Sequence, residues 1–373
     1  MSRPSQFSSV SSAGPSPPRL LIVGAFPEPA SLERYVGGAL AERLRNRGWQ
    51  ALVASRRRTR LRRLTHMLWV VWRERSKYDL GIVEVYSGLA FVWAEFVCSA
   101  LRFLQKPFVL ALHGGALPEF ARSQPGRIRS FLRHAVSVTC PSGYLLEGMK
   151  AYCTAIQVVP NPIDVHLYPF VERQLPRPHL VWLRAFHEIY NPCLAPRIIA
   201  NLVKIVPHIR LEMAGPDQGD MSLQRTRALA ATLGVVDQIR FLGPLPKKEV
   251  PLTLGRADIF INTSNLDNTP VSVIEAMACG LCVISTDAGG IPYLVQNERE
   301  GLLVQRNDAN AMASAICRLM NEDGLAQQLS RKARLNALKY DWSEILPLWE
   351  RLLTNARLGR SDAPQSPMAA NAI

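Results

Sequence analysis

A two-domain α/β protein with parallel sheets is what this sequence predicts, on three observations. Short apolar runs alternate with amphipathic helical stretches over almost the whole chain. The 373 residues, 48% hydrophobic and 20% charged, suffice for two domains with full cores. Near the middle, the proline-spiced segment Val165–Pro178 breaks the alternation and marks the domain boundary.

Arg19–Gly24 reads as a first strand, and Ser31–Gly48 as an amphipathic helix that stops at its glycine. Ala25–Ala30 between them does not form G-x-G-x-x-G, so a dinucleotide site has little support. Gly37 and Gly38 fall inside the helix, each costing about 1 kcal/mol against alanine, which points to close approach or tight packing. Strands follow at Ala51–Ala54, Leu80–Val85, Pro107–Leu112, Ser137–Thr139 and Ile156–Val159, with helices at Leu61–Arg75, Ser87–Leu104 and Ser142–Lys150. The strand Pro107–Leu112 ends in His113-Gly114-Gly115, which puts an imidazole at the carboxyl edge of a parallel sheet, where open α/β sheets bind ligands. Glu119 is the only acid expected in that neighbourhood. In the second half, His179–Leu183, Arg210–Ala214 and Ile239–Gly243 read as strands, Ser222–Leu233 and Val250–Arg256 as helices, and Pro192 opens another helix. Gly301–Val304, Asp308–Glu322, Gly324–Lys339 and Asp341–Leu353 finish the domain with helices.

The stretch Asn262–Pro292 carries the chemistry. Asp258–Ile261 is a buried strand before it, and Asn262–Thr269 is a polar loop. A helix starts at Ser272, because Ser272-x-x-Glu275 has capping-box spacing, and Gly280 supplies a left-handed stop. Leu281–Ser285 is a second strand, and Asp287–Pro292 a Gly-Gly loop opening another helix. Both loops then reach the same sheet edge. Helix amides beneath Ser272 and Gly290 suit a diphosphate, and the carboxylates of Asp267 and Glu275 suit sugar hydroxyls. A bare helix cap at Glu275 and a bare Asx turn at Asp267 are the alternatives for either residue alone.

Asp267-x7-Glu275, Ala276-Met277-Ala278-Cys279-Gly280, Val283-Ile284-Ser285 and Gly289-Gly290 resemble the retaining glycosyltransferases of the GT-B fold, family 4 or group 1, whose first acid is Glu where this chain has Asp. The resemblance covers roughly residues 19–355. It implies two Rossmann-like domains facing a cleft: an amino-terminal, acceptor-side domain (19–165), a carboxyl-terminal donor domain (166–340) and a crossover helix (341–356) returning to the first domain. Residues 1–18 and 357–373 are expected to be disordered tails. Carried onto this chain, the resemblance implies that His113 lies near the donor sugar, that Arg184 clamps the diphosphate, and that Asp267 and Glu275 hold sugar and ribose hydroxyls. Gly24, Gly37 and Gly38 would face the donor phosphates, Gly215 would abut the base, and Asn268, Thr269, Pro270, Val271, Ser272, Gly289 and Gly290 would complete the donor site. Pro160-Asn161-Pro162-Ile163-Asp164 resembles the family's Pro-Asn-Gly-x-Asp at the exit from the amino domain. The family's diphosphate lysine, about five residues beyond the arginine, is missing, with Ile189, Tyr190 and Asn191 in its place; Tyr190, His187 or main-chain amides would have to substitute.

The charge is lopsided. Residues 1–170 hold 22 Lys+Arg against 10 Asp+Glu, and the rest 22 against 20. Six arginines between Arg56 and Arg63 lead into His66–Trp72, a pattern that suits an anionic membrane surface. Nucleic acid and a merely solvated basic face are the rivals, but no nucleic-acid module accompanies the arginines. The most apolar stretch, Leu80–Leu104, contains Glu84, Glu95 and Arg102, which argues against a membrane span. Seven scattered cysteines, two as Cys279-x-x-Cys282 with no second pair, read as small apolar fillers in a reducing compartment.

The expectation is therefore sugar transfer with retention from a nucleotide-diphosphate donor to a glycan or lipid-linked acceptor, as in polysaccharide or lipopolysaccharide assembly. The setting would be cytoplasmic, peripheral on the inner membrane. The chain has no Asp-x-Asp, so neither metal nor other cofactor is expected. A non-catalytic scaffold of the same fold and a nucleotide-sugar 2-epimerase are the rival functions.

Overall fold

The computed structural model describes residues 17–24, 36–54 and 60–359. Both expected tails, the start of the first helix and Arg56–Arg58 fall outside the described residues, wholly or in large part. The first domain runs β1 (Arg19–Val23), α1 (Val36–Asn46), β2 (Gln50–Ala54), α2 (Arg60–Arg73), β3 (Leu80–Val85), α3 (Leu89–Phe103), β4 (Phe108–Leu112), α4 (Leu117–Ser123), α5 (Pro125–Leu132), β5 (Ser137–Cys140), α6 (Gly143–Met149) and β6 (Ile156–Val158). The second runs β7 (His179–Leu183), α7 (Leu194–Leu202), β8 (Arg210–Ala214), α8 (Ser222–Thr232), β9 (Ile239–Gly243), α9 (Val250–Arg256), β10 (Ile259–Asn262), α10 (Val271–Ala278), β11 (Cys282–Thr286), α11 (Ile291–Leu294), β12 (Leu302–Val304), α12 (Ala309–Asn321), α13 (Leu325–Leu338) and α14 (Trp342–Arg357).

Each domain builds one six-stranded parallel sheet, ordered β2-β1-β3-β4-β5-β6 and β12-β11-β10-β7-β8-β9. Strands buried on both faces explain the unbroken apolar runs. In β1, Leu21 and Val23 enter one core while Leu20 and Ile22 enter the other. In β10, Ile259 and Ile261 face one core and Phe260 the opposite one. This is the two-Rossmann GT-B architecture.

Four local readings need correction. Helix α10 begins at Val271, with Pro270 as its cap residue. Ser272 therefore sits in the first turn and cannot cap Glu275, whose carboxylate is held by Tyr168 instead. Leu302–Val304 is strand β12, paired with β11. Helices α4 and α5, unassigned from sequence, fill the β4–β5 connection; Pro118 and Pro125 open them at first-turn positions. The β10 and β11 strands each sit one residue later than expected. At the end of α10, Gly280 takes φ +76°. Leu281 N–H then reaches the Ala276 carbonyl and Gly280 N–H that of Met277, a Schellman closure.

Helix α14 leaves the second domain and packs in the first. Trp342, Ile345, Trp349 and Leu353 share a core with Leu20, Ile22, Leu40 and Leu44. The interdomain strap is tied at its root: Ile163 N–H donates to the Tyr340 carbonyl (2.8 Å), Trp342 N–H to that of Ile163 (3.1 Å), and Val165 N–H to the Asp341 carboxylate (2.9 Å). Where the strap enters β7, buried Arg173 donates to Asp258 and to the carbonyls of Ala257 and Cys279.

Candidate active site

Carboxyl ends of both sheets face one cleft of about 270 Å³. From the first domain it is lined by Val36, Glu84, Tyr86, His113 to Gly115 and Asn161; from the second by Ile189, Tyr190 and Leu266 to Thr269. Glu84 and Tyr86, His113 to Gly115 and Leu266 to Thr269 come from the ends of β3 and β4 and the loop after β10, as the carboxyl-edge rule requires.

Arg184, just past β7, forms an ion pair with Asp267, which is 9% exposed. Its guanidinium lies over the Tyr190 ring at 4.1 Å, a stacking contact worth roughly 0.5–2 kcal/mol. The Arg184 Nε is buried with no hydrogen-bond partner, and so is Ser272 Oγ in the first turn of α10. Each such orphan costs about 1–3 kcal/mol, which a ligand's acceptor oxygens would recover.

Around this pair runs a chain of buried hydroxyls and amides. Thr263 Oγ1 accepts from Trp182 Nε1 (2.8 Å) and donates to the Tyr190 carbonyl (2.8 Å). Asn265 N–H donates to the Ile189 carbonyl at 2.8 Å. Ser264 Oγ donates to Asn262 Oδ1 (2.8 Å) and reaches Asp267 Oδ2 (3.2 Å). Asn268 N–H donates to Asp267 Oδ1 at 3.0 Å. The polar loop of the sequence is thus a scaffold that fixes Tyr190 beneath Arg184 and aims Asp267 at it.

The glycines have steric reasons. A Cβ on Gly215, at φ +150°, would stand 1.7 Å from the Arg184 carbonyl oxygen, so Gly215 backs Arg184. On Gly290 it would stand 1.8 Å from the Asn268 carbonyl oxygen. The Gly290 amide already donates to the Asp267 carbonyl at 2.8 Å. The Gly-Gly loop therefore braces Asp267 and Asn268 from behind, with that amide taken up. Across the cleft, Ser142 hydrogen-bonds Asn268, and Thr269 Oγ1 donates to the Pro141 carbonyl at 3.4 Å, joining the domains at one end.

His113 is stacked on Tyr86, with centroids 5.2 Å apart. Burial pushes its pKa down to about 4, so the imidazole is neutral near pH 7 and offers one donor and one acceptor. Glu275 stands beside the strap instead, buried, accepting from the Tyr168 hydroxyl at 2.6 Å. Burial raises its pKa above the ordinary Glu range; the Tyr168 hydrogen bond and the charges of Lys247 and Arg184 act in the opposite direction. Gly37 and Gly38 are buried in the first turn of α1, next to Val36 at the cleft. Gly24 lines a different groove, described below. Pro270 and Val271 form the amino end of α10.

Sequence reasoning missed three residues. Glu84 and Tyr86 reach the cleft from the end of β3, and Lys247 brings positive charge to Glu275 from the β9–α9 turn. An acid at the end of a buried parallel strand was the available signal for Glu84; Glu119, the acid singled out instead, is not a cleft residue. Nothing local marked Lys247, 63 positions from Arg184. Among the described residues, no three His, Cys, Asp or Glu lie close enough to hold a metal ion.

Residues 183–336 match the family model described as Glycosyl transferases group 1. This domain belongs to the group 1 glycosyl transferases. Curated relatives include a D-inositol 3-phosphate glycosyltransferase of Corynebacterium jeikeium, 29% identical over 53% of this chain and 51% of the relative. Another of that name, from Acidothermus cellulolyticus, is 31% identical over 67% of this chain and 60% of the relative. The chain thus spans about half the length of the curated relatives it matches. Among solved structures, Anabaena HepE in complex with UDP and glucose has a TM-score of 0.72 at 17% identity, covering 90% of this chain and 99% of that one. Sucrose-phosphate synthase from Thermosynechococcus elongatus has a TM-score of 0.75 at 19% identity, covering 91% and 98%. These structural likenesses establish the fold of the chain as GT-B.

Proposed function

We propose that this protein transfers a sugar, with retention at the anomeric carbon, from a nucleotide-diphosphate donor to a lipid-linked or glycan acceptor at the cytosolic face of a membrane. The observation that carries the reading is the cleft shared by His113 of one domain and by Asp267 and Tyr190 of the other, with Arg184 behind them, paired to Asp267 and stacked on Tyr190. The diphosphate would accept from Arg184 Nε and Ser272 Oγ, two of the buried side-chain donors left without a partner among the described residues, and the amino end of α10 adds its dipole. As the bond from the anomeric carbon to the phosphate oxygen breaks, negative charge grows on the diphosphate, and fixed donors there stabilise the transition state. The acceptor oxygen bonds the same face of the carbon, and its proton passes to the departing phosphate oxygen. Asp267 and the neutral imidazole of His113 would hold sugar hydroxyls, and Glu275 the ribose. UDP and UDP-glucose in the related HepE structures favour this donor class.

Helix α2 supports the membrane part. Trp69 and Trp72 are 51% and 54% exposed, with the guanidiniums of Arg73 and Arg75 over their rings, an aromatic and basic face suited to anionic lipid. The test is a panel of nucleotide-diphosphate sugars with mass detection of transfer. An active parent and an inactive Glu275→Ala variant are expected. A parent that binds no nucleotide diphosphate would overturn the proposal.

A further inference from the structure

Helices α2 and α3 pack side by side, and a second groove of about 380 Å³ runs between them, within the ~300–1,000 Å³ typical of small-molecule sites. Its walls are apolar: Met67, Val83, Ala90, Trp93, Ala94 and Val97. Glu84 and Tyr86 line this groove and also the cleft of His113 and Asp267. The two spaces therefore meet at the end of β3.

The groove has a direction. Both helices follow parallel strands, so their amino ends stand at the carboxyl edge of the sheet, beside the cleft. Arg63, in the first turn of α2 and with its guanidinium 5.7 Å from the Trp93 ring, lines the groove near that end. Met67, Trp93, Ala94 and Val97 follow further from the cleft. Along the outer side of α3, Leu89, Phe96 and Phe103 recur every seven residues and are 65%, 53% and 81% exposed, one face of the helix. The neighbouring face of α2 carries exposed Arg62, Trp69 and Trp72. From cleft to rim the order is carboxylate and phenol, then guanidinium, then hydrocarbon, then an exposed aromatic and basic edge.

We infer that this groove is the seat of the acceptor's lipid: the apolar chain of a lipid phosphate lies between α2 and α3, its phosphate beside Arg63, and its reacting hydroxyl passes Glu84 and Tyr86 into the cleft. Charge complementarity and continuity with the cleft select this occupant. Arg63 and the amino ends of two helices face an anion, and an amphiphile is the molecule that needs a charged mouth and an oily floor together. The inference rests on the sugar-transfer reading for the identity of the hydroxyl, but not for the binding of the lipid.

The test is isothermal titration of the full chain with farnesyl phosphate, farnesol, inorganic phosphate and UDP. Farnesyl phosphate is expected to bind at least ten-fold tighter than farnesol, with inorganic phosphate not detected. Ala90→Phe, and the milder Ala90→Leu, should weaken farnesyl phosphate ten-fold or more by filling the groove. Arg63→Gln should bring it to the level of farnesol. UDP affinity should hold in all three variants, which also certifies their fold. Ala90 variants that bind farnesyl phosphate as the parent does, or a parent that binds UDP but no farnesyl phosphate, would overturn the groove while leaving the donor site standing. A parent that binds farnesyl phosphate but no nucleotide would overturn the transfer reading and leave the groove.

Discussion

Replacing Thr263 with valine removes one hydroxyl and almost no volume, so it isolates a single link between the second core and the candidate site. Thr263 is fully buried, as is its donor Trp182. In the variant, Trp182 Nε1 loses its 2.8 Å acceptor and the Tyr190 carbonyl its 2.8 Å donor. An orphaned buried donor costs about 1–3 kcal/mol; the half-buried carbonyl, nearer water, costs about 1 kcal/mol. The sum is about 2–4 kcal/mol. For a domain of this size that corresponds to a fall of about 4–16 °C in melting temperature. Function should fall too, because Tyr190 lies beneath Arg184 and its carbonyl would be released. Nucleotide-diphosphate affinity is expected to drop several-fold, measured by titration well below the variant's melting point. A variant melting within 2 °C of the parent and binding nucleotide equally well would refute the argument that Thr263 positions Tyr190 and, through it, Arg184.

Gly215→Ala should destabilise the second domain by more than about 4 kcal/mol in urea unfolding, because its Cβ would meet the Arg184 carbonyl at 1.7 Å. Arg173→Ala should cost about 3–5 kcal/mol by leaving Asp258 buried with one fewer partner, with nucleotide affinity in the native state unchanged. Trp349→Ala should cost about 3–5 kcal/mol and melt the first domain, whose core it shares, although it lies near the chain's far end. Nucleotide affinity should weaken as pH falls towards the Glu275 pKa, which burial sets above the ordinary Glu value, since the protonated acid loses acceptor capacity for a ribose hydroxyl; Glu275→Gln should flatten the profile. His113, with a pKa near 4, should add no inflection around pH 6.5. Its neutral burial also means that the unfolded chain takes up a proton first as pH drops from 6.5 to 4, so stability declines through that window.

Much of the fold was legible because each signal is local. Strand runs such as Leu80–Val85 and His179–Leu183 are buried on both faces, so hydrophobicity alone marked their ends. The misread start of α10 has an equally local cause: Ser272-x-x-Glu275 has the spacing of a cap, but Pro270 fixes the entry one residue earlier. Glu275 was then free to turn to Tyr168, 107 positions away, a partner that spacing could not name. The Gly-Gly loop was noticed for its amides, whereas its main constraint is the closeness of the Asp267 and Asn268 backbone.

Alternation, the acid-x7-acid spacing and the punctuation by glycine and proline are local along the chain, and the sequence determined them unaided. The Arg184–Asp267 pair joins residues 83 positions apart. The groove at Arg63 and Trp93, like the meeting of His113 with the second domain, depends on which strands are neighbours and how two sheets face each other. Those pairings are decided by long-range packing, whose energy is shared among many side chains of both domains, and only the tertiary structure reveals them.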